Sequence, residues 1–171
     1  MLKNNPITMS KLFEYSKIAE GNDFIGREDE VKKISSNFIF LTNTALLAPQ
    51  GWGKSSLMHR AAQEARHKEK NLRFCFLNLS NVRSEERFYE ILAQGVLKAV
   101  SKNQDEVVNN VKKFFPHTSP RITFDASGDF IVDFDWGDIR QNQDELLDLP
   151  HAVAKSTGMK IIVCIDEFNA I

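Results

Sequence analysis

The stretch from 44 to 58, TALLAPQGWGKSSLM, constrains the fold more than any other part of the chain. Ala45, Leu46, Leu47 and Ala48 form a short apolar run that reads as a buried strand. Pro49, Gln50, Gly51, Trp52 and Gly53 follow as a tight loop. Lys54, Ser55, Ser56, Leu57 and Met58 then open a helix. A strand that passes through a Gly-containing loop into a helix N-terminus suits a polyphosphate. Successive backbone N–H groups face the concavity of the loop, and the free N–H groups of the first helical turn add partial positive charge. Lys54 can reach the outer phosphates, and the Ser55 hydroxyl can take a place on Mg2+. The full pattern, G-x-x-x-x-G-K-[ST], is met except at its first glycine, where Ala48 stands. Gly51 can supply the missing backbone freedom. The alternative is a Gly-rich turn ahead of an amphipathic helix, with Lys54 merely solvated.

At 171 residues the chain is long enough for one domain with a real core. Its net charge of −1 leaves no global basic footprint for nucleic acid. Nucleic acid is therefore expected only through parts outside this sequence. No apolar run approaches the roughly 20 residues that span a bilayer, and the N-terminus lacks a signal-peptide apolar core. Cys75 and Cys164 each lie inside an apolar run, without metal-ligand spacing, and read as buried strand residues of a cytoplasmic protein. His59, His67, His117 and His151 are scattered and read as surface or packing residues. The sequon Asn78-Leu79-Ser80 falls in a strand pattern and is discounted.

In chain order, residues 1–22 are polar and irregular, an N-terminal extension with a weak helical pattern near 11–19. From 23 onward the pattern is that of an α/β domain. Gly26 breaks the chain before Glu28, Asp29 and Glu30, acids that favour a helix N-terminus. Val31, Ile34 and Phe38 recur at helical spacing, predicting a helix that ends near Asn43. The helix after the loop carries Leu57, Met58, Ala61, Ala62 and Ala65 on one face. Residues 72–79, LRFCFLNL, are apolar on both faces, as in a strand covered by helices on each side. Ser84 caps a long helix marked by Phe88, Ile91, Leu92, Val96, Ala99 and Val100. A further helical stretch, 105–115, stops at Pro116. This alternation predicts a mainly parallel sheet. A β-hairpin interrupts it at about 120–136, with strands over 121–125 and 130–136 around the turn Ala126-Ser127-Gly128-Asp129. Its acids, Asp125, Asp129, Asp133, Asp135 and Asp138, do not match a calcium loop and read as a solvated face. The hairpin alternatively offers a contact surface for a second copy or a partner protein. Residues 144–157 are helical in pattern, with Pro150 starting or kinking a helix and Gly158 as its cap.

The last apolar run, Ile161-Ile162-Val163-Cys164-Ile165, leads straight into Asp166-Glu167. Ligands of parallel sheets bind beyond the carboxyl ends of the strands, and the loop at 49–53 leaves such an end too. Both sites therefore fall on one edge of the sheet. Asp166 can hold Mg2+ through water beside Ser55, and Glu167 can orient and deprotonate a water for attack on a γ-phosphate. The alternative is a strand that ends in an acid pair capping the next element.

With both motifs in place, the chain resembles the nucleotide-binding core of an AAA+ or STAND-type P-loop ATPase, nearest to prokaryotic ATPases with an origin-recognition-like core. The residues that carry the resemblance are Phe24-Ile25-Gly26-Arg27-Glu28, a Walker A segment at 48–56, and a Walker B segment at 161–167. The hairpin followed by Leu147-Asp148-Leu149-Pro150 is also similar to that group. The resemblance implies a three-layer P-loop NTPase fold, ATP or ADP with Mg2+ as ligands, and ATP hydrolysis used as a switch or motor. It implies that Phe24, Ile25 and Arg27 lie at the adenine, that Pro49, Gln50, Gly51, Trp52, Gly53, Lys54, Ser55 and Ser56 hold the phosphates, and that Ser55 and Asp166 hold the metal. Lys54 and Glu167 become the catalytic pair. It also implies a sheet order of 5-1-4-3-2, in which the strand between the first and third is missing from this sequence. The sensor residue, arginine finger and helical lid are missing as well. The expectation is an incomplete, N-terminal part of such a domain over 23–171. The competing expectation is a nucleotide-dependent scaffold or regulator with little turnover, associated with DNA only through a further domain.

Overall fold

The computed structural model describes Ile18 and residues 24–118, 120–135, 137 and 143–168. The helical pattern expected near 11–19 lies outside the described residues except for Ile18, which has no regular structure. The described elements run α1 (Glu28–Ile39), α2 (Lys54–Lys68), β1 (Leu72–Asn78), α3 (Glu85–Val100), α4 (Gln104–Phe114), β2 (Arg121–Phe124), β3 (Phe130–Asp133), α5 (Gln143–Thr157) and β4 (Lys160–Asp166). The fold is mixed α/β, with a parallel sheet of two strands, β1–β4, and a separate antiparallel pair, β2–β3.

β1 and β4 pair in register from Leu72 opposite Lys160 to Asn78 opposite Asp166. The period of two along β1 sends successive side chains to opposite faces. Leu72 and Phe74 join a core with Val31, Ile34, Leu57 and Ala61 of α1 and α2. Cys75 and Leu77 join a second core with Leu92, Val96, Leu146 and Val153 of α3 and α5. Helices thus cover both faces, which is why β1 is apolar throughout. Both cysteines are buried free thiols, and burial pushes each up to about 12.

The caps follow local chemistry. The Ser84 hydroxyl accepts from the Arg87 N–H at 3.2 Å, and Asn103 does the same for Glu106 at 2.9 Å. α5 runs unbroken through Pro150, so that proline neither starts a helix nor ends one. α1 ends at Ile39, short of Asn43, and Leu41 turns the chain with a φ of 55°.

The sequence reading differs from the structure most at 45–48. This run is not a strand, and Leu47 is 94% exposed. An apolar run becomes a strand only where a neighbouring backbone completes its ladder. Among the described residues none does so here, because β4 pairs with β1 alone. The same cause leaves β4 half-buried rather than buried, with Ile165 exposed at its edge. The hairpin forms with shorter strands than expected. It docks on α3 through Phe130 and Val132, and Lys98 pairs with Asp129 at 2.8 Å. No helix among the described residues is long and apolar enough to cross a membrane.

One glycine sets the distance between α3 and the sheet. A Cβ at Gly95 would stand 2.6 Å from Cys75 Sγ and 2.8 Å from Leu77 Cδ2. Gly95→Val should therefore lower stability by about 2 kcal/mol, because overpacking costs more than the small gain in helix propensity. Urea denaturation followed by circular dichroism measures the difference, and a variant as stable as the parent would contradict this packing.

Candidate functional site

The loop between Ala48 and α2 is built by two glycines in the left-handed region. Gly51 has φ 80° and Gly53 has φ 68°. The Trp52 N–H donates to the Pro49 carbonyl at 3.4 Å, closing a turn over Gln50 and Gly51. Gly53 then serves as the N-cap of α2, and its carbonyl accepts from Leu57 N–H at 2.9 Å. Gly53 offers no side-chain cap, so the first-turn N–H groups of α2 keep their capacity for an anion. Trp52 points outward and is 67% exposed.

The Lys54 ammonium folds back over the loop and donates to the Ala48 carbonyl at 2.9 Å and the Pro49 carbonyl at 3.1 Å. Neither partner carries charge. Ser55, one residue on, donates its hydroxyl to an Asp166 carboxylate oxygen across 111 positions of sequence. The other Asp166 oxygen accepts the Glu167 N–H at 3.0 Å. Glu167 itself stands at φ 56°, an unfavourable backbone for a residue with a Cβ. This turn ends β4 and brings Glu167 to the wall of a cleft of about 740 Å3 that Gln50, Lys54 and Asp166 also line. The volume falls within the range of small-molecule sites.

Lys54, Ser55, Asp166 and Glu167, singled out from the sequence, thus converge at one edge of the sheet. The donor set fits a hard divalent cation. A serine hydroxyl and a carboxylate oxygen already in contact can both turn their oxygens to one ion, with the remaining positions left to water or an anionic ligand. Among the described residues no group of three or more His, Cys, Asp or Glu side chains could hold a metal unaided. A cation here would therefore complete its coordination with water or ligand oxygens.

The segment ahead of α1 divides. Phe24 is half-buried against the α1–α2 core, whereas Ile25 is 88% exposed. Arg27 reaches the loop itself and donates from Nη1 to the Trp52 carbonyl at 2.9 Å. Two further donors form a two-point pair with Glu30, Nε to Oε2 at 2.6 Å and Nη2 to Oε1 at 2.7 Å. That pairing holds the Glu30 carboxyl below the usual range and raises the Arg27 guanidinium. Sequence reasoning gave Glu30 only a place beside the helix dipole. The i,i+3 spacing from Arg27 was the available signal for this pair.

Gly53 has space for a methyl group, since the nearest atom to an added Cβ is Arg27 Nη1 at 3.8 Å. Its φ alone resists substitution. Gly53→Ala should cost about 1–2 kcal/mol and Gly53→Asn less, because Asn tolerates the left-handed region. Chemical denaturation of the two variants side by side measures the order, and equal losses would contradict it.

No family model, curated protein or solved structure matches this chain.

Proposed function

We propose that this chain is an ATP-binding core with Mg2+-dependent ATPase activity, used as a molecular switch or motor, and that residues 23–171 are part of an AAA+/STAND-type P-loop domain. One observation carries the reading. The serine that ends Gly-Lys-Ser and the carboxylate that ends β4 are hydrogen-bonded across 111 positions, so two motifs far apart in the sequence meet at atomic contact. A chance Gly-Lys-Ser turn gives no reason for that meeting.

The roles follow from chemistry. Loop N–H groups from Gln50 to Ser56 and the α2 N-terminus receive the phosphates. Lys54 exchanges two neutral carbonyl partners for phosphate oxygens, and charge-assisted hydrogen bonds are about twice as strong as neutral ones. Ser55 and Asp166 would hold Mg2+, which when bound neutralises charge on the phosphates. Glu167, at the wall of the same cleft, accepts a proton from water and aligns it for attack.

A second reading, a nucleotide-dependent scaffold with little turnover, is favoured by the way Lys54 is held. The loop must break two hydrogen bonds to admit a nucleotide and re-forms them when it leaves, which supports slow exchange.

Glu167→Gln separates these readings in the intact protein, and Lys54→Ala and Asp166→Ala test the nucleotide site that both share. Lys54→Ala should weaken Mg-ATP binding at least about tenfold, as expected for the loss of charged hydrogen bonds. Glu167→Gln should leave binding nearly unchanged and lower turnover by about 10^2–10^4-fold, the scale of a lost general base. Asp166→Ala should remove the dependence of binding on Mg2+. Calorimetry and a phosphate-release assay measure all three. Undiminished turnover in Glu167→Gln would refute the role given to that carboxylate.

A further inference from the structure

Arg27 stands in the left-handed region at φ 64° and ψ 27°, as the N-cap residue of α1. For a side-chain-bearing residue this backbone is unfavourable and persists only where surrounding contacts hold it. The contacts here are the two-point pair with Glu30 and the hydrogen bond to the Trp52 carbonyl. A trans peptide unit is planar, and its C=O and N–H point in opposite directions. Fixing the Trp52 carbonyl toward Arg27 therefore fixes the Gly53 N–H away from it. Gly53, with no Cβ, sets little barrier of its own against rotation of this peptide unit. The hydrogen bond from Arg27 therefore bears directly on the sense of this peptide.

We propose that Arg27, clamped by Glu30, is a positioning residue that sets the orientation of the Trp52–Gly53 peptide and so organises the phosphate-binding loop, rather than a contact to the nucleotide base. This rests on the proposed phosphate-binding role of the loop. Glu30 takes two donors of the guanidinium and leaves Nη1 aimed at the loop, so the pair works as a bracket between α1 and the residues ahead of α2. The planar fork is what allows both contacts at once. A lysine in its place would reach one partner or the other.

The test uses a ligand without a base. Binding of Mg-ATP and of inorganic tripolyphosphate with Mg2+ is measured by calorimetry on the intact chain and on Arg27→Asn, Arg27→Lys and Glu30→Gln, with thermal unfolding as a check on folding. Asn is chosen because it accepts the left-handed backbone that Ala resists. Arg27→Asn should weaken both ligands equally, by about tenfold or more, as for a lost charged hydrogen bond. Arg27→Lys should recover part of that loss. Glu30→Gln should cause a smaller loss that vanishes in the Arg27→Asn background, because it acts through the arginine. Weakened ATP with unchanged tripolyphosphate would mean that Arg27 touches the base or sugar, and would overturn the proposal. So would unchanged affinity for both ligands in Arg27→Asn, or a Glu30→Gln loss that adds to the arginine loss in full. Should Arg27→Asn fail to fold, Glu30→Gln and Arg27→Lys decide by the same comparison of the two ligands. A parent chain that binds neither ligand would overturn the phosphate-binding reading together with this one.

Discussion

The parallel pairing of β1 with β4 is the constraint on which the rest depends. It joins residues 72–78 to 160–166 and so fixes where everything between them must return. Because the pair is parallel, the intervening chain has to cross over, and α3 and α5 cover the sheet as it does so. The opposite face is closed by α1 and α2, which come earlier in the chain. Register then does chemical work. With Asn78 opposite Asp166, β4 ends level with β1, and the carboxylate comes to the height of the α2 N-terminus, where Ser55 waits. A shift of one residue would turn Asp166 to the other face and separate it from the loop.

A sheet of two strands has two free edges, and this one spends its order unevenly. β1 is buried along most of its length, whereas β4 is half-buried and exposes Ile165. The segment 44–48 passes the cleft beside β4 without joining the ladder. Its composition, Ala-Leu-Leu-Ala, is apolar enough for a strand, and that is all a sequence reading can measure. Whether such a run is a strand depends on a partner backbone far away in sequence, which composition does not encode. Helices suffer less from this limit. Their hydrogen bonds close within four residues, and so α2, α3 and α4 follow their periodicity and caps closely.

The candidate site divides along the same line. Lys54 and Ser55 were legible because loop and helix N-terminus are contiguous, and Asp166 and Glu167 because an apolar run ended in two acids. Their meeting could be argued only from a rule about the carboxyl ends of parallel strands. The contact of Arg27 with the Trp52 carbonyl was not legible at all, since it joins a side chain to a backbone group 25 positions away. Glu30 was visible as an acid in a first helical turn, where the dipole is reason enough for it. Its second purpose appears only when the guanidinium it holds is seen to reach the loop.

The electrostatic state of the loop gives these observations a common sense. Three charged or partly charged groups here meet neutral partners rather than an ion of opposite sign. The Lys54 ammonium is spent on neutral carbonyls, the Asp166 carboxylate on a hydroxyl and a backbone N–H, and the α2 N-terminus has no acidic residue in its first turn. The cap position of α2 is Gly53, which supplies no side-chain acceptor and gives up only roughly a few tenths of a kcal/mol against Ser, Asp or Asn. Lys54 and Asp166 line one cleft at the α2 N-terminus, each engaged with neutral partners. Under the proposed function, a single ligand that carries both negative charge and a divalent ion would meet all three groups at once.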